Sequence, residues 1–490
     1  MESTQTRHTD VVVIGAGPVG ENVADRVVQG GLSCIIVEQD LVGGECSYWA
    51  CMPSKALLRP AAALAAARRV AGGSSGITGS LNAADVFARR DSFTSNWDDA
   101  GQVEWLQGAG IDLVRGRATI TGPRTVRVTS ADGEVTEITA RHAVTIATGS
   151  VPSIPPIAGL DSVSFWGTRE ATSAHDVPPR LIVVGGGVAA VELAQVYASL
   201  GSQVVILARS GLLGRLPQPA VDLVRTSLEA AGVDIRTGTT PAHVAQSAAG
   251  LYQVTLDDGT TIESEALLVS TGRKPATSDL GLESLGLDPK HLKIDDTGRV
   301  DGLEDSWLYV VGDAAGKVLL THQGKYEARA TGDAIAARAR GIAVDPSSGW
   351  TRYRAVADHQ AVPQVVFTDP EIAQVGLTPD DARQQFGDVL TIELPINVAG
   401  AGLLADGYTG WAELVVDPGR KVVVGATFAG QDVAELLHAA TIAIVGEVPL
   451  NRLWHAVPAY PTVSEVWLRL LEKLEATWRE QNVPGDPFLT

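Results

Sequence analysis

The sequence predicts an α/β protein that contains one strand–glycine turn–helix–strand unit twice and ends in an α+β domain. Three observations support this. An apolar strand at residues 10–14 leads into a glycine-rich turn and a helix, and a second strand follows at 33–38. The same order returns between residues 181 and 208. From about residue 355, strand-like segments are followed by helical ones.

Local patterns predict the other elements in turn. The alanine-rich segment 56–70 is typical of a helix, and the glycine- and serine-rich stretch 72–80 is typical of a loop. Short apolar runs predict strands at 143–147 and 307–311. In the C-terminal part, strands are expected at 365–376, 411–416 and 422–428, and helices at 431–446 and 463–480.

Length and composition describe a globular chain of several domains. At roughly 150 residues per domain, 490 residues predict about three domains. Hydrophobic residues make up 45% and charged residues 19%, which excludes a disordered chain. The formal net charge of −19 would repel phosphate backbones, so no nucleic acid partner is expected.

The N-terminal residues are polar, and no uninterrupted apolar run is long enough to span a bilayer. We therefore expect no membrane partner and a cytoplasmic location, where thiols are kept reduced. The chain has three cysteines, Cys34, Cys46 and Cys51, too few for a disulfide scaffold. A close pair in a reducing compartment indicates redox chemistry or a metal.

The first glycine turn has the form G-x-G-x-x-G, with Gly15, Gly17 and Gly20 at the glycine positions. Glu38 closes the next strand, eighteen residues after Gly20. Glycines allow a pyrophosphate close to the backbone, the helix N-terminus attracts its charge, and a carboxylate accepts hydrogen bonds from ribose hydroxyls. The alternative is an ordinary turn followed by a surface glutamate, but the flanking strand and helix favour a dinucleotide site.

The second turn has the form G-x-G-x-x-A, built from Gly185, Gly187 and Ala190. No acidic residue closes its second strand, where Ala208 stands, and Arg209 and Arg215 follow. Arginines suit the 2′-phosphate of NADP, so NADPH is favoured, and NADH stays possible if both are ordinary surface charges. Two such units predict FAD on the first and a nicotinamide on the second, with hydride transfer between them.

Cys46 and Cys51 are five positions apart and can close a disulfide if the turn brings their Cα atoms within about 6 Å. Lys55 follows Cys51 by four residues and would lie on the same helix face. The alternatives are inert thiols or a metal site, but only His8 and His142 occur in the first 150 residues. We expect no metal, and we interpret Cys34 as a buried apolar residue.

Over nearly its whole length, the sequence resembles the pyridine nucleotide–disulfide oxidoreductases, which include dihydrolipoamide dehydrogenase, glutathione reductase and mercuric reductase. The motifs that carry the resemblance are Gly43 to Lys55, Ala147-Thr148-Gly149, the triple-glycine turn whose helix carries Glu192, Thr271-Gly272-Arg273, Val310-Val311-Gly312-Asp313, and Phe367-Thr368-Asp369-Pro370-Glu371 followed by Val375-Gly376.

The resemblance implies two Rossmann-like dinucleotide-binding domains and a C-terminal α+β dimerisation domain in a homodimer. We expect an FAD domain at 1–155 and 275–350, an NAD(P) domain at 156–274 and an interface domain at 355–490. By resemblance, Cys46 is the interchange thiol and Cys51 the thiol against the flavin. Lys55 would lie near the reactive ring edge, paired with Glu192. Further cofactor contacts are implied at Gly44, Thr148, Gly149, Gly272, Arg273, Gly312 and Asp313.

One departure concerns the proton-shuttling histidine of the family's disulfide reductases, which stands five residues before a glutamate. Here Tyr460 takes its position before Glu465. A tyrosine is a poorer base than imidazole at neutral pH, so exchange with thiol substrates should be slow. Mercuric reductases also have this tyrosine, together with a C-terminal cysteine pair that this chain lacks. His455 could substitute, although a structural role is favoured for it.

Other departures lie within the redox motif, where Glu45 replaces a threonine and Tyr48 and Trp49 are unusually large. The two rings either stack on a planar substrate or pack in the core. We expect an FAD enzyme that passes electrons from NADPH to the cysteine pair and on to a small-molecule acceptor: a quinone, a metal ion or an unusual small molecule. The alternatives are a small-disulfide reductase or dihydrolipoamide dehydrogenase-like enzyme, a diaphorase that does not use the cysteines, and a non-catalytic flavoprotein.

Overall fold

The structure is a computed structural model that describes residues 5–347 and 349–489. The chain divides into two compact units, each built from several segments. The first unit comprises Met1–Pro53, Arg89–Ser153 and Gly272–Asp358. The second comprises Ser54–Ala88, Ile154–Thr271 and His359–Thr490.

The strands, in chain order, are β1 (Gln5–Ile14), β2 (Cys34–Glu38), β3 (Asp112–Arg115), β4 (Arg117–Gly122), β5 (Thr125–Thr129), β6 (Val135–Ile146), β7 (Ser150–Pro152), β8 (Arg180–Val184), β9 (Gln203–Ala208), β10 (Asp234–Thr237), β11 (Pro241–Gln246), β12 (Tyr252–Leu256), β13 (Thr261–Ser264), β14 (Ala266–Val269), β15 (Arg273–Pro275), β16 (Leu308–Val310), β17 (Pro363–Val366), β18 (Glu371–Gly376), β19 (Leu390–Pro395), β20 (Trp411–Asp417) and β21 (Val422–Gly430).

The α-helices are α1 (Pro18–Gln29), α2 (Gly44–Tyr48), α3 (Cys51–Arg68), α4 (Ala83–Phe93), α5 (Ala100–Gly108), α6 (Thr168–Ser173), α7 (Val188–Ser199), α8 (Gln218–Ala230), α9 (Thr321–Ala339), α10 (Pro379–Phe386), α11 (Ala399–Leu404), α12 (Leu437–Val445), α13 (Leu450–Leu453) and α14 (Val466–Glu480). In the described part of the chain, none of them is both long enough and apolar enough to cross a membrane.

The first unit is built on a mixed sheet. Strands β3, β2, β1 and β6 lie side by side in this order and run parallel, and β16 pairs with β6. Strands β5 and β4 continue the sheet in antiparallel fashion. The apolar runs of β1 and β2 are buried because both faces of the sheet are covered, one of them by α1 and α9. The carboxyl ends of the parallel strands therefore meet at one edge, where ligands of such sheets bind.

The second unit contains a parallel sheet in the order β10, β9, β8, β14 and an antiparallel sheet of β11, β12 and β13. Helix α7 follows β8 directly, so that β8–α7–β9 repeats the parallel arrangement of β1–α1–β2. The predicted duplication is confirmed. A third, antiparallel sheet has the order β17, β18, β21, β20, β19, and every residue of β21 is buried. This sheet confirms the predicted C-terminal α+β region.

The structure differs from the sequence-based predictions mainly in its short strands. Strand β6 begins at Val135, eight residues before the predicted start at residue 143, because its first half pairs with β5. The strands β3–β5 and β10–β13 were not predicted, since their short alternating segments give weak signals. The predicted helix 463–480 is a short 3-10 turn, Val463–Glu465, followed by α14.

Candidate active site

The first glycine turn connects β1 to α1 at the carboxyl edge of the sheet. Gly15 has φ +102°, and a Cβ atom there would lie 2.5 Å from the carbonyl oxygen of Ala147. A Cβ on Gly20 would lie 1.9 Å from the carbonyl oxygen of Gly15. Both positions therefore require glycine, which lets the backbone at the start of α1 lie close to a pyrophosphate.

Glu38 stands at the end of β2 beside this turn. Its carboxylate accepts hydrogen bonds from the backbone N–H of Ala16 at 2.7 Å and of Asp40 at 2.8 Å. The side chain is 9% exposed, and burial raises its pKa, while the hydrogen bonds from Ala16 and Asp40 act in the opposite direction. The two backbone donors fix the orientation of a buried carboxylate, so the turn and Glu38 together fit the adenosine and pyrophosphate groups of FAD.

The redox motif forms a compact turn against the nucleotide turn. Gly43 and Gly44 have φ values of +111° and +58°, and they introduce the short helix α2 that carries Cys46. A Cβ on Gly44 would lie 2.9 Å from the Cα atom of Gly17. The two turns thus touch backbone to backbone, and Cys51 then opens helix α3.

Cys46 and Cys51 are free thiols that lie within hydrogen-bonding distance of each other. The Sγ atom of Cys51 lies 3.3 Å from the hydroxyl oxygen of Thr321, the first residue of α9. The pKa of Cys46 is raised above its usual range, first by its hydrogen bond to the Cys51 thiol and then by burial. The Thr321 hydroxyl and the Lys325 ammonium act in the opposite direction. Such adjacency is what reversible disulfide formation requires.

The third cysteine, Cys34, lies buried in β2. Burial raises the pKa of its thiol above the usual range, which keeps it protonated and unreactive. The prediction that Cys34 is a buried apolar residue is confirmed.

A left-handed turn that contains no glycine supports the segment between Cys46 and Cys51 from one side. Ser95, Asn96 and Trp97 have φ values of +50°, +51° and +58°. Each such residue costs roughly 1–2 kcal/mol relative to a right-handed one. The indole N–H of Trp97 donates to the carbonyl oxygen of Tyr48 at 3.1 Å, and the guanidinium carbon of the fully buried Arg90 lies 5.2 Å from the Trp97 ring centre. These contacts hold the segment between the two cysteines in place.

A chain of polar contacts leads from Asp313 to Glu45. The Ser150 hydroxyl donates to the Asp313 carboxylate at 2.5 Å, and it accepts from Nε of Arg273 at 2.7 Å. The Arg273 guanidinium lies 3.9 Å from Glu45. Burial raises the pKa of Asp313, and the Ser150 hydrogen bond and the Arg273 charge oppose this. Ser150 was not predicted, because its partners are remote in sequence.

The remaining residues of the first unit that are predicted to contact the cofactor lie within two residues of Ser150, Arg273 or Asp313 in the sequence. Thr148 donates its hydroxyl to the carbonyl oxygen of Ala276 at 2.7 Å. The N–H of Gly312 donates to Glu327 at 2.8 Å, and burial raises the pKa of Glu327 to about 8. Gly149 and Gly272 have φ values of +73° and +113°, which favour glycine.

In the second unit, Lys55 and Glu192 form an ion pair with an N–O distance of 2.6 Å. Glu192 is 2% exposed, and its other oxygen accepts from the backbone N–H of Phe367 at 2.9 Å. The Lys55 ammonium lies 4.9 Å from the centre of the Phe367 ring. Lys55 is thereby held in one orientation on α3, one turn beyond Cys51 on the same helix.

The second glycine turn lies in the same unit. A Cβ on Gly185, whose φ is +132°, would lie 2.1 Å from the carbonyl oxygen of Ser270. Ala208 ends β9 and is buried, whereas Arg209 and Arg215 are exposed. Within the described chain, neither guanidinium has a hydrogen bond or an ion pair, so both remain available to a phosphate group.

The C-terminal residues of interest also belong to the second unit. Tyr460 is 76% exposed. Glu465 accepts a hydrogen bond from Arg469 at 2.9 Å, and within the described residues its second oxygen is buried without a partner. His455 is exposed, and its backbone N–H donates to the carbonyl oxygen of Arg452. Glu465 is therefore engaged by an arginine on the next helical turn.

The last described residues are anchored to the protein surface. The Lys421 ammonium donates to the carbonyl oxygens of Asp486 and Leu489, and the rings of Trp454 and Phe488 are 4.5 Å apart. This tail contains no cysteine. In the described part of the chain, no cluster of three or more His, Cys, Asp or Glu side chains is arranged to hold a metal ion.

Comparison with known families and proteins is consistent with this geometry. The family model described as "Pyridine nucleotide-disulphide oxidoreductase" matches residues 9–332, and the dimerisation domain of the same family matches residues 362–470. The chain is 32% identical over 486 residues to a dihydrolipoyl dehydrogenase of Halobacterium salinarum, covering 95% of this chain and 96% of the relative. It is 30% identical to a mercuric reductase of Staphylococcus aureus over 93% of this chain and 80% of that protein.

Among solved structures, the chain is similar to the HOCl-induced flavoprotein disulfide reductase RclA from Escherichia coli, with a TM-score of 0.79. The two chains are 22% identical over 94% of this chain and 99% of the other, so this match supports the fold alone. A Cu(II) complex of the same reductase matches with a TM-score of 0.79 and 23% identity.

Proposed function

The chain belongs to the pyridine nucleotide–disulphide oxidoreductase family, and we propose that it passes electrons from NADPH through FAD to the Cys46–Cys51 pair and on to a small-molecule acceptor. It is an oxidoreductase of this class, and the family binds FAD and a pyridine nucleotide. When bound, FAD supplies a ring that accepts a hydride and releases two electrons. The FAD domain is assigned to residues 1–155 and 275–350, the nicotinamide domain to 156–274 and the interface domain to 355–490.

The observation that carries the proposal is the contact between the two thiols beside Thr321. In the oxidised enzyme, these sulfurs form a disulfide. Two electrons and two protons convert it to the two thiols, and transfer of both electrons to the acceptor, with loss of both protons, restores the S–S bond. Thr321 holds Cys51 at the start of α3, and the Lys55–Glu192 ion pair fixes a positive charge one turn further along that helix.

NADPH is favoured over NADH because of the charges that follow β9. Arg209 and Arg215 are exposed and have no partner in the described chain, and the strand ends in Ala208 instead of a carboxylate. Two guanidinium groups can bind the 2′-phosphate of NADPH through charge-assisted hydrogen bonds. A carboxylate at the strand end would instead favour the 2′-hydroxyl of NADH.

We infer an acceptor that needs no histidine base, since Tyr460 occupies the position of that base. A quinone, a metal ion or an unusual small molecule fits this requirement. The name of one similar protein, a mercuric reductase, makes Hg(II) a useful first candidate. A small disulfide such as lipoamide, the oxidised form of dihydrolipoamide, is the second choice, because several relatives are dihydrolipoyl dehydrogenases. Screening the NADPH-reduced enzyme against these acceptors by stopped-flow absorbance separates the candidates.

A homodimer is the proposed assembly. The dimerisation domain exposes large apolar side chains, which a subunit contact would bury. They are Leu403, Ile442, Trp454 and Val457, with exposed fractions of 70%, 57%, 37% and 86%.

The proposal is tested by anaerobic titration of the FAD-loaded protein with NADPH. We expect a long-wavelength absorption band, which arises when the Cys51 thiolate lies against oxidised flavin. Cys51→Ser should abolish the band, whereas Cys34→Ser, which alters a buried thiol outside the site, should retain it. Absence of the band in the unmodified protein, or its persistence in Cys51→Ser, would refute the redox role. Full activity of Cys46→Ser/Cys51→Ser with the best acceptor would instead support a diaphorase.

A further inference from the structure

The substitution of Tyr460 for the family's histidine leaves open what favours the reactive form of Cys46. A cysteine thiol has an ordinary pKa of about 8.5, so most of the thiol is protonated at neutral pH. Only the thiolate attacks an acceptor. The question rests on the proposed function, because it concerns the same thiol. Within the first unit, a group that stabilises the Cys46 thiolate must lie on an element packed around the turn that carries Cys46 and Cys51.

Helix α9 presents one cation to this turn. Thr321 begins the helix and contacts Cys51, and Lys325 lies one helical turn later on the same face. Lys325 is half-buried, and in the described chain its ammonium has no hydrogen bond and no ion pair. Its positive charge acts on Cys46 and lowers the pKa of that thiol against the larger opposing effects of Cys51 and burial.

Helix α1 brings a carboxyl group to the same place. A Cβ on Gly324, the neighbour of Lys325, would lie 2.7 Å from Cγ2 of Val19, so α9 and α1 are in close contact there. Glu21 follows Val19 by two residues, and its Oε1 atom is buried without a partner in the described structure. Burial raises the pKa of Glu21 to about 7, while the charge of Lys325 lowers it and that of Glu38 raises it.

We propose that Lys325 is the cation that stabilises the Cys46 thiolate, and that Glu21 controls how much of this positive charge Cys46 experiences. When Glu21 is ionised, it offsets part of the Lys325 charge and the thiolate is less favoured. When Glu21 is protonated, Lys325 acts on Cys46 in full. The other titratable groups that interact with this pair are Glu38 on β2 and Tyr48 on α2, and Cys51 faces Cys46 itself.

The two residues therefore act on Cys46 with opposite signs. Removing the cation with Lys325→Met raises the pKa of the Cys46 thiol by about one pH unit, the size expected for a partly screened charge pair. Removing the carboxylate with Glu21→Gln lowers it by roughly half a unit, because Lys325 is no longer offset. A loss of packing alone would not give opposite shifts. Lys325→Arg keeps the charge and should retain the midpoint of the unmodified protein.

The experiment uses the FAD-loaded protein reduced with dithionite, so that it does not depend on NADPH. Iodoacetamide alkylation of Cys46 is measured from pH 6 to 11 by peptide mass spectrometry, and the flavin content of each variant is recorded. Arg329→Met, which removes an exposed charge one turn further along α9, is the matched control and should leave the midpoint unchanged.

Two results would overturn the inference: an unchanged midpoint in Lys325→Met, or a shift of Glu21→Gln in the same direction as Lys325→Met. If Lys325→Met loses its flavin, the comparison between Glu21→Gln and Lys325→Arg decides, because only the former should lower the midpoint. Failure of this inference is distinct from failure of the proposed function. The long-wavelength band with NADPH tests the function, and the alkylation midpoint tests the two charged residues.

Discussion

The two glycine turns have similar backbone conformations but differ in the side chain at the end of the second strand. In both, the first glycine has a positive φ, +102° at Gly15 and +132° at Gly185, and a Cβ would collide with a backbone carbonyl oxygen. In the first unit, β2 ends with Glu38. In the second unit, β9 ends with Ala208, and the exposed Arg209 follows it. We therefore propose that the glycine geometry serves any dinucleotide and that the strand end determines which one binds.

The largest effect is expected from removing the carboxylate of the first turn. Glu38→Ala loses the acceptor for two backbone N–H groups as well as that for the ribose, and charge-assisted hydrogen bonds contribute about 1.5–3 kcal/mol each. We expect FAD affinity to fall by roughly 100-fold or more. The ratio of flavin to protein absorbance after gel filtration measures it. Glu134→Ala, at an exposed loop position of the same unit, is the control, and normal flavin content in Glu38→Ala would contradict the assignment.

A smaller effect is expected from the arginines of the second turn. Arg209→Leu/Arg215→Leu removes both proposed phosphate ligands, so the KM for NADPH should rise by about 10- to 100-fold with little change in kcat. The KM for NADH should change little, because NADH lacks the 2′-phosphate. Steady-state kinetics with both nucleotides measures the difference, with Arg236→Leu on the neighbouring β10 as control. Equal losses with NADH and NADPH would show that the two turns do not differ in this way.

The smallest effect is a pH dependence that distinguishes the turns. Burial raises the pKa of Glu38, so its carboxylate is protonated earlier than an ordinary glutamate as the pH falls. We expect FAD binding to need the ionised form, so the affinity for FAD should decline on acidification, by less than about tenfold per pH unit. Fluorescence titration of the apoprotein with FAD from pH 7.5 to 5 measures this. A Glu38→Gln variant should show a flatter profile, and a profile as steep as that of the unmodified protein would exclude Glu38 as the titrating group.

Much of the fold was predictable because its signals are local. Each glycine turn is specified within a few residues by glycines that no other residue can replace, and the strands beside them are continuous apolar runs. The strands β3–β5 were missed because they are short and partly exposed, which leaves little hydrophobic pattern.

The contacts around the site were harder to predict, since they join segments that are far apart in the sequence. Cys51 meets Thr321 across 270 positions, and Ser150 meets Asp313 across 163. Neither Thr321 nor Ser150 has a distinctive local pattern. The left-handed turn at Trp97 contains no glycine, so its conformation depends on the tertiary contacts of that indole instead of on backbone preference.

The contact between Gly17 and Gly44 has a mechanical consequence. Side chains between two packed segments normally act as compliant spacers, because a change of rotamer absorbs small displacements. Here the main chain at Gly17 contacts the main chain at Gly44 directly, so a shift of the turn at Gly17 also displaces the helix that carries Cys46. We therefore expect a nucleotide bound at the first glycine turn to alter the position of the Cys46 sulfur.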